Sequence, residues 1–367
     1  MRRFVYIVLL FFTVLAAAGL VLSYLSVYVS PERVWFLSFF GLLFAPLLLL
    51  NLAFLLLWVA LRRRLLLIPL AVVLLNLSFA RTLVHLPFGK KSVPAEAKLK
   101  LLSYNVNLFG LKRTYSDAST YAQVAAFINR EKFDVACMQE FYVHSKVQSE
   151  KQFAQQLSGL PHRAVYYSRT RSNSWLGLAT FSKFPIVNRG NIAFSNTTNA
   201  AIFTDIALSA ADTVRVYNVH LQSIRFGDRE RDLLQSENFW YDNKNDRSRV
   251  LWSASGKLRS AFKIRAQQVD TISKHIRRSP YKVVVCGDFN DTPVSYSYHT
   301  MRGDLCDGFM EAGRGLMSTF VSVVPSLRID YILYSSYFRA GVYYCPNLPL
   351  SDHYPLVCRL AVREEDE

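Results

Sequence analysis

Three long uncharged stretches fill most of the first eighty residues and separate an apolar part of the chain from a globular part. Residues 4–29 and 34–61 each exceed the roughly 20 residues that a helix needs to cross a bilayer. Residues 65–80 fall just below the usual lower limit of about 17. We therefore predict a membrane region over residues 1–85 that contains two or three transmembrane helices.

Basic residues beside these stretches predict the orientation in the membrane. Arg2 and Arg3 favour a cytoplasmic N-terminus, and residues 62–64, all arginine, favour a cytoplasmic second connection. With three spans the rest of the chain is extracytoplasmic, whereas two spans would keep it in the cytoplasm. We predict an integral protein of the inner or plasma membrane with the globular part on the extracytoplasmic, periplasmic side. Signal-peptide cleavage after residues 16–18, all alanine, is an alternative that leaves this topology unchanged.

The net charge predicts an anionic partner. The chain has 43 Lys and Arg against 27 Asp and Glu, a formal charge of +16, which attracts nucleic acid or lipid headgroups. Residues 224–278 carry thirteen basic and seven acidic residues, and aromatic residues lie among them. This segment could grip a nucleic-acid strand, rest on a membrane surface, or form a solvated loop and a surface helix. Composition leaves these three alternatives open.

All five cysteines lie in the globular part. Cys137 and Cys286 occur in apolar, strand-like stretches, so we predict buried free thiols there. A disulfide among Cys306, Cys345 and Cys358 is left open by their spacing.

The globular part is predicted to be one large α/β domain. We assign residues 86–96 to a linker, 97–362 to the domain and 363–367 to a charged tail. Helical periodicity occurs at 121–130 and 257–277. Strand-like stretches predict two sheets packed together with helices outside; they are 99–106, 134–139, 164–167, 176–181, 202–208, 214–219, 281–285, 329–333 and 356–360.

The most informative motif is Cys286-Gly287-Asp288-Phe289-Asn290-Asp291, which follows the apolar residues 281–285. Consecutive valines predict a strand, and Gly287 is predicted to let the backbone turn. Asp288 and Asn290, two apart on an extended segment, are predicted to point to one side. A carboxylate and an amide presented together can accept a proton from water or hold a metal-bound phosphate. On its own the motif is equally consistent with a polar turn.

Five further segments place a polar residue at or beside an apolar strand. Each has an ordinary structural explanation, such as a turn, a solvated strand end or a structural ion pair. Jointly they supply the residue types that metal-assisted phosphate chemistry requires. They are Ser103-Tyr104-Asn105-Val106-Asn107, Met138-Gln139-Glu140, Tyr217-Asn218-Val219-His220-Leu221, Arg328-Ile329-Asp330-Tyr331-Ile332-Leu333 and Ser351-Asp352-His353-Tyr354-Pro355.

These motifs, in this order over about residues 99–360, resemble the endonuclease/exonuclease/phosphatase superfamily. The resemblance implies a DNase I-like, four-layer α/β/β/α sandwich, preceded here by the N-terminal transmembrane helical region. It also implies an active site at one edge of two central sheets. Compared with exonuclease III-type members, this chain has Asn107 where an acid is common and His220 at a tyrosine position, which favours the DNase I, sphingomyelinase and phosphatase branches.

The resemblance also implies the role of each candidate residue. Asn105 and Glu140, with Asp352 as a further ligand, would bind a divalent metal, and oxygen ligands suit Mg²⁺ or Mn²⁺. Asp288 would orient or deprotonate water with Asn290 as its partner. The remaining catalytic candidates are His220 and His353, which would contact phosphoryl oxygens, and Asp330, which would orient His353.

The sequence thus predicts a membrane-anchored, divalent-metal-dependent phosphoesterase. Its predicted partners are the bilayer and a phosphoester substrate, which is a nucleic acid, a phospholipid or an inositol phosphate. No protein partner is inferable from the sequence. The alternative is a non-catalytic binding or scaffold protein that retains the fold.

Overall fold

The computed structural model describes residues 2–85, 99–113, 118–171, 173–194, 197–224, 244–321 and 327–363. The predicted linker, most of the charged tail and residues 225–243 of the basic segment lie outside these ranges. The chain divides into two compact units. The helical unit comprises residues 1–83, 223–269 and 291–300, and the sandwich unit comprises residues 84–222, 270–290 and 301–367.

Apolar helices make up most of the helical unit. They are α1 (Arg2–Tyr28), α2 (Leu37–Leu42), α3 (Phe44–Ala60), α4 (Leu67–Leu75) and α5 (Leu77–Leu83), with a 3₁₀ turn at Arg64–Leu66. Residues 3–28 form the one helix in the described chain that is long and apolar enough by itself to cross a membrane. The segments 64–75 and 77–83 could form a second, broken span with a bend of 60°.

The uncharged stretch 34–61 differs from the continuous helix that we expected. It forms α2 and α3, which are interrupted at Leu43. Pro46 lies in the first turn of α3, where its missing N–H is tolerated, but it has no donor to extend a hydrogen bond back into α2. The stretch 65–80 is likewise interrupted at Asn76, where α4 ends.

The sandwich unit contains the remaining strands and the helices that flank them. The strands are β1 (Val84–His85), β2 (Leu99–Asn105), β3 (Val135–His144), β4 (His162–Arg171), β5 (Ser174–Ser182), β6 (Ile186–Ala193), β7 (Ala200–Ala207), β8 (Thr213–His220), β9 (Lys282–Asp288), β10 (Cys306–Asp307), β11 (Gly315–Leu316), β12 (Asp330–Tyr334), β13 (Phe338–Tyr344) and β14 (Leu356–Val362). The later helices are α6 (Ala118–Glu131), α7 (Glu150–Gln156), α8 (Lys244–Arg277), α9 (Tyr296–Arg302) and α10 (Gly308–Ala312), with a 3₁₀ segment at Asn107–Arg113; α8 contributes residues to both units, and α9 lies mainly in the helical unit.

Two six-stranded mixed sheets form the core of the sandwich unit. The first has the order β13-β14-β2-β3-β5-β4, and the second has the order β10-β12-β9-β8-β7-β6. Leu101 and Val135 of the first sheet belong to the same buried cluster as Val216 and Val284 of the second. The sheets therefore pack face to face, and the α/β sandwich predicted from the motifs is confirmed.

Helices cover the outer faces of this sandwich. Val124 and Ile128 of α6 pack in one cluster with Tyr104 and Met138 of the first sheet. On the second sheet, the Tyr217 hydroxyl lies 2.8 Å from Nδ1 of His275 in the last turns of α8. These contacts give the order helix, sheet, sheet, helix within the unit.

The cysteines are free thiols. Cys137 and Cys286 are fully buried between the sheets, which confirms the prediction for this pair. Cys358 lies in the same cluster, while Cys306 and Cys345 are half-buried. The disulfide that the spacing left open is not formed.

Gly287 does not turn the chain, contrary to our expectation, because it lies inside β9. A Cβ atom there would sit 2.1 Å from the carbonyl oxygen of Val219 on the neighbouring strand. The glycine is therefore required for close approach of β8 and β9, the two strands that end in His220 and Asp288.

Gly287→Ala is expected to destabilise the protein by about 1–3 kcal/mol or more, because backbone atoms of β8 would have to move. The measurement is the free energy of unfolding of the full chain in detergent. Gly159→Ala is the matched control, since a Cβ atom at Gly159 meets nothing within 4 Å. Equal stability of the two variants would contradict this account of β9.

Candidate active site

Strand pairing brings three of the candidate residues into one row. In the second sheet, His220 at the end of β8 is the register partner of Asp288 at the end of β9. Asp288 is in turn paired with Asp330, the first residue of β12. Because β8 and β9 are parallel and β12 is antiparallel to them, two strand ends and one strand start meet at the same edge of the sheet.

The first sheet brings further candidates to the corresponding edge. Asn105 ends β2, and its register partner Gln139 immediately precedes Glu140 on the parallel strand β3. Residues 351–353 lie just before β14, which pairs with β2 through Leu356 and Ser103. The Ser351 hydroxyl donates to the Asn105 carbonyl at 2.7 Å and so fixes this segment beside β2.

The Asp288 carboxylate is the centre of the site. Its Oδ2 accepts a hydrogen bond from Asn105 Nδ2 at 2.9 Å, which joins the edges of the two sheets. The same oxygen lies 3.7 Å from Nε2 of His220 and 3.7 Å from Nε2 of His353. Its Oδ1 accepts from the backbone N–H of Asn290 at 2.8 Å. Asp288 is 1 % exposed, so these groups replace water around the carboxylate.

Burial and the nearby Asp330 carboxylate raise the pKa of Asp288 to about 6, although His353, His220 and Asn105 oppose the shift. A carboxylate with this pKa is largely ionised at neutral pH. It is nevertheless basic enough to accept a proton from water efficiently, because its pKa lies close to neutral pH.

His353 is held in its charged form. Its Nδ1 lies 3.0 Å from Oδ2 of Asp330, and its ring packs edge-on against Phe320. Burial disfavours the positive charge, but the Asp330 and Asp288 carboxylates outweigh it and raise the pKa of His353 to about 10. At neutral pH His353 is therefore an imidazolium, which donates hydrogen bonds through both ring nitrogens.

Asp288, Asp330 and His353 place ligand atoms within 4.8 Å of one another, a spacing that could hold a cation. Within this cluster Asp330 Oδ2 and His353 Nδ1 already engage each other at 3.0 Å. The atoms of the cluster that remain for a further ligand are therefore Nε2 of His353 and the carboxylate oxygens of Asp288 and Asp330 that His353 Nδ1 does not contact.

Glu140 lies on the more open side of the site. Its Oε1 is 3.8 Å from Nε2 of His220, and its side chain is 21 % exposed. A β-bulge between Met138 and Phe141 interrupts the pairing of β3 with β5 and gives Glu140 a φ of 51°. A bulge is a means of redirecting one side chain of a strand, and a left-handed glutamate is strained.

Asn290 also has a left-handed backbone, with a φ of 52°. The extended segment ends at Asp288, and Asn290 lies in the following turn, which corrects the expectation that both residues share a strand. Its side-chain Nδ2 donates to the Leu221 carbonyl at 3.0 Å, while its backbone N–H bonds to Asp288. The carboxylate of Asp288 stabilises this turn in the manner of an Asx turn.

Asp352 is half-buried next to His353. Its Oδ1 lies 3.5 Å from the Ser351 hydroxyl, and its backbone carbonyl accepts from Val321. Asp352 adds to the negative charge that raises the pKa of His353. These contacts place it in the site, beside the histidine.

Several buried residues that support the site had not been assigned a role from the sequence. Gln139 Nε2 donates to Asn218 Oδ1 at 2.8 Å, and Asn218 Nδ2 donates to the Met138 carbonyl at 3.1 Å, which links the two sheets directly behind the site. Thr319 Oγ1 accepts from the backbone N–H of Asp330 at 3.0 Å. A polar residue in an apolar strand was a signal for Gln139 and Asn218, whereas nothing in the sequence marked Thr319.

Family comparison agrees with this geometry. The family model described as "Endonuclease/Exonuclease/phosphatase family" matches residues 102–353, which include all eight candidate residues. The chain belongs to the endonuclease/exonuclease/phosphatase family. It is therefore an enzyme of a family that hydrolyses phosphoester bonds and whose members generally use divalent metals. A second family model, described as a domain of unknown function, matches residues 4–83.

Solved structures of this family share the fold. The endonuclease/exonuclease/phosphatase of Beutenbergia cavernae has 16 % identity and a TM-score of 0.53, over 72 % of this chain and 71 % of that chain. The human nocturnin catalytic domain with bound sulfate has 18 % identity and a TM-score of 0.50, over 72 % and 94 %. A family protein from Bacteroides thetaiotaomicron has 17 % identity and a TM-score of 0.50, over 72 % and 98 %. No curated protein matches the chain.

Proposed function

We propose that this chain is a membrane-anchored phosphoesterase that hydrolyses its substrate by in-line attack of a water molecule on phosphorus. The arrangement around Asp288 carries the proposal. One buried oxygen of a carboxylate with a pKa near neutrality faces Asn105, His220 and His353. A base beside cationic and amide donors is what attack on an anionic phosphoester requires.

In this proposal both histidines contact the phosphate, although their surroundings differ. His353, kept charged by Asp330, donates from Nε2 to a phosphoryl oxygen, and His220 approaches the phosphate from the Glu140 side. Asp288 accepts the proton of the attacking water while the phosphorus–oxygen bond to the leaving group breaks. Asn290 holds the turn that orients Asp288 and lies next to the attacking water.

Glu140 and Asn105, with Asp352 as a further ligand, are the proposed metal-binding residues. The donor set fits Mg²⁺ or Mn²⁺, because carboxylate and amide oxygens are the ligands that these ions prefer. Glu140 is also partly exposed, whereas Asp288 and Asp330 are buried and engaged by protein donors. When bound, such an ion supplies positive charge to the phosphoryl oxygens.

The helical unit supports the proposed anchor because its polarity is reversed relative to a soluble bundle. Apolar side chains such as Phe11, Leu49 and Leu56 are more than half exposed. Polar side chains are buried and bonded across helices: Trp58 Nε1 donates to Thr13 at 3.0 Å, and Asn51 Nδ2 donates to the Ala16 carbonyl at 3.0 Å. Small and polar contacts between helices with apolar residues outside are typical of packing in lipid. Extracytoplasmic placement remains a proposal that rests on the arginine pattern.

The function is tested by assaying the full chain, purified in detergent, on plasmid DNA, RNA, sphingomyelin and phosphoinositides. We expect hydrolysis of one substrate class with Mg²⁺ or Mn²⁺, and loss of that activity in EDTA. An Asp288→Asn preparation controls for contaminating hydrolases. Absence of metal-dependent turnover on every substrate would contradict the proposal.

Glu140→Gln is expected to raise the Mg²⁺ concentration for half-maximal activity by about tenfold or more, because even supporting contacts of a metal site change affinity by about 10–100-fold. Titration of activity with Mg²⁺ measures this. Glu150→Gln is the matched control, since Glu150 pairs with Arg163 outside the site. An unchanged Mg²⁺ requirement in Glu140→Gln would remove Glu140 from the ligand set.

A further inference from the structure

The central part of α8 contacts α2 and the connection that joins α1 to α2. The guanidinium of Arg259 lies 4.7 Å from the ring centre of Trp35, and Phe262 packs edge-on against Phe39 at 5.4 Å. Gln267 Nε2 donates to Glu32 Oε1 at 2.6 Å. These residues all belong to the helical unit. They attach α8 next to the C-terminal end of α1, which is the proposed membrane span.

Trp252 lies on the same side of α8 as this attachment. It precedes Arg259 by seven residues, or about two helical turns and 10 Å, so the two side chains point in nearly the same direction. Trp252 is 81 % exposed and its neighbour Leu251 is 50 % exposed. Phe36, in the connection itself, is 47 % exposed. A strip of exposed apolar side chains therefore extends from the end of α1 along α8.

The opposite side of α8 is covered by protein. Val250, Ala254 and Ala261 are buried, and they follow one another at the spacing of a helix face. The helix is thus supported along one side, while Leu251 and Trp252 project away from that support. Large apolar residues fixed in this way beside a proposed span suit insertion into a bilayer interface.

The charge of this part of α8 is entirely positive. Residues 247–265 contain no Asp or Glu. Arg265 is buried and paired with Asp291 at 3.2 Å, and it is therefore structural. Tryptophan at headgroup level together with lysine and arginine is typical of helices that lie on anionic membranes. The basic residues of the stretch are Arg247, Arg249, Lys257, Arg259, Lys263 and Arg265.

We propose that residues 247–263 of α8 lie on the membrane surface beside the end of α1, with Leu251 and Trp252 inserted between headgroups and the positive charge of the stretch attracted to anionic lipid phosphates. The inference rests on membrane insertion of α1, which is part of the proposed function, and is independent of hydrolysis. It assigns residues 247–263 of the basic segment, for which the sequence left three alternatives, to a lipid surface rather than to nucleic acid.

The test uses the full chain in nanodiscs, with Cys306 and Cys345 replaced by serine and a nitroxide attached to one introduced cysteine. Trp252→Cys is the probe. Leu15→Cys, on the exposed side of α1, reports whether the span is inserted. Ser260→Cys is the control, because Ser260 is exposed and points about 180° away from Leu251 and about 80° away from Trp252 on the same helix. For each variant, the accessibility of the nitroxide to oxygen, which concentrates in lipid, is compared with its accessibility to a water-soluble nickel complex.

We expect greater oxygen than nickel accessibility at positions 15 and 252, and the reverse at position 260. The signal at position 252 should shift towards lipid when phosphatidylglycerol is added to phosphatidylcholine discs. A label in lipid at position 15 together with a label in water at position 252 would overturn this inference alone. A label in water at position 15 would overturn the proposed anchor as well. Immobilisation of the 252 label by single-stranded DNA, but not by anionic lipid, would identify a nucleic-acid surface and also overturn the inference.

Discussion

Replacing Asp288 by asparagine is expected to lower the rate of phosphoester hydrolysis by about 10²–10⁴-fold, the range that a positioned general base contributes. Asparagine preserves the shape of the side chain and can still contact Asn105 and the Asn290 backbone, but it has no carboxylate to accept a proton. The loss should appear in kcat, with little change in KM, because the proton is transferred during the chemical step.

The same variant is expected to be more stable than the natural chain at neutral pH. The folded-state pKa of Asp288 is raised from 3.8 to about 6, so its contribution to stability is fully present below pH 3.8 and is lost as the pH rises through 6. Above that pH, removal of the charge should stabilise the metal-free protein by about 1–3 kcal/mol. Thermal unfolding in EDTA at pH 4 and pH 8 measures the difference, which should be present only at pH 8.

Asp205→Asn is the matched control for both measurements. Asp205 is as buried as Asp288, but it accepts hydrogen bonds from Nε and Nη2 of Arg215 at 2.6 and 2.8 Å. Its replacement should destabilise the protein, because it leaves a buried guanidinium without its carboxylate partner, and it should leave kcat unchanged. If Asp288→Asn instead destabilised the protein at pH 8, the charge on Asp288 would be structural.

Much of the sandwich could be predicted because its central strands are short apolar stretches bounded by polar residues. The stretches around β2, β8, β9 and β12 were placed within a few residues of their bounds. Five strands were missed, of which β1, β10 and β11 contain only two residues each. The two longer ones, β6 and β13, were missed for identifiable reasons. β6 is an edge strand with polar Asn188 and Arg189 at its centre, and β13 contains a bulge between Ala340 and Val342.

The convergence of the site could not be derived from local sequence. Asn105 and Asp288 are separated by 183 residues, and only the packing of the two sheets brings their side chains to 2.9 Å. The left-handed backbone at Glu140 was also unpredictable from its residue type, whereas asparagine, as at Asn290, is among the residues that adopt this conformation most often after glycine. The order of the motifs identified the residues of the candidate site, whereas strand register and the backbone at Glu140 and Asn290 determine where their side chains lie.

Asp330→Asn is expected to move the entire pH dependence of hydrolysis to lower pH. The neighbouring Asp330 carboxylate raises the pKa values of both Asp288 and His353. In the natural enzyme, activity should therefore rise as Asp288 ionises near pH 6 and persist until His353 loses its proton near pH 10. Without Asp330, burial lowers the pKa of His353, and Asp288 ionises at lower pH. Both limbs of the pH–rate profile therefore shift to lower pH.

The largest effect of Asp330→Asn should appear at alkaline pH. At about pH 9 we expect the variant to lose about 10²–10³-fold in kcat, the effect of removing one preorganised donor to the transition state, and to recover part of it at pH 6–7. His353→Gln should show a similar loss without recovery at any pH, because glutamine carries no titratable charge. Asp205→Asn, which again removes a buried carboxylate from an ion pair with arginine, is the control and should leave the profile in place. If the rate of Asp330→Asn fell by the same factor at every pH, Asp330 would only position the His353 ring. A shift of both limbs to lower pH would show that Asp330 also keeps the ring charged for catalysis.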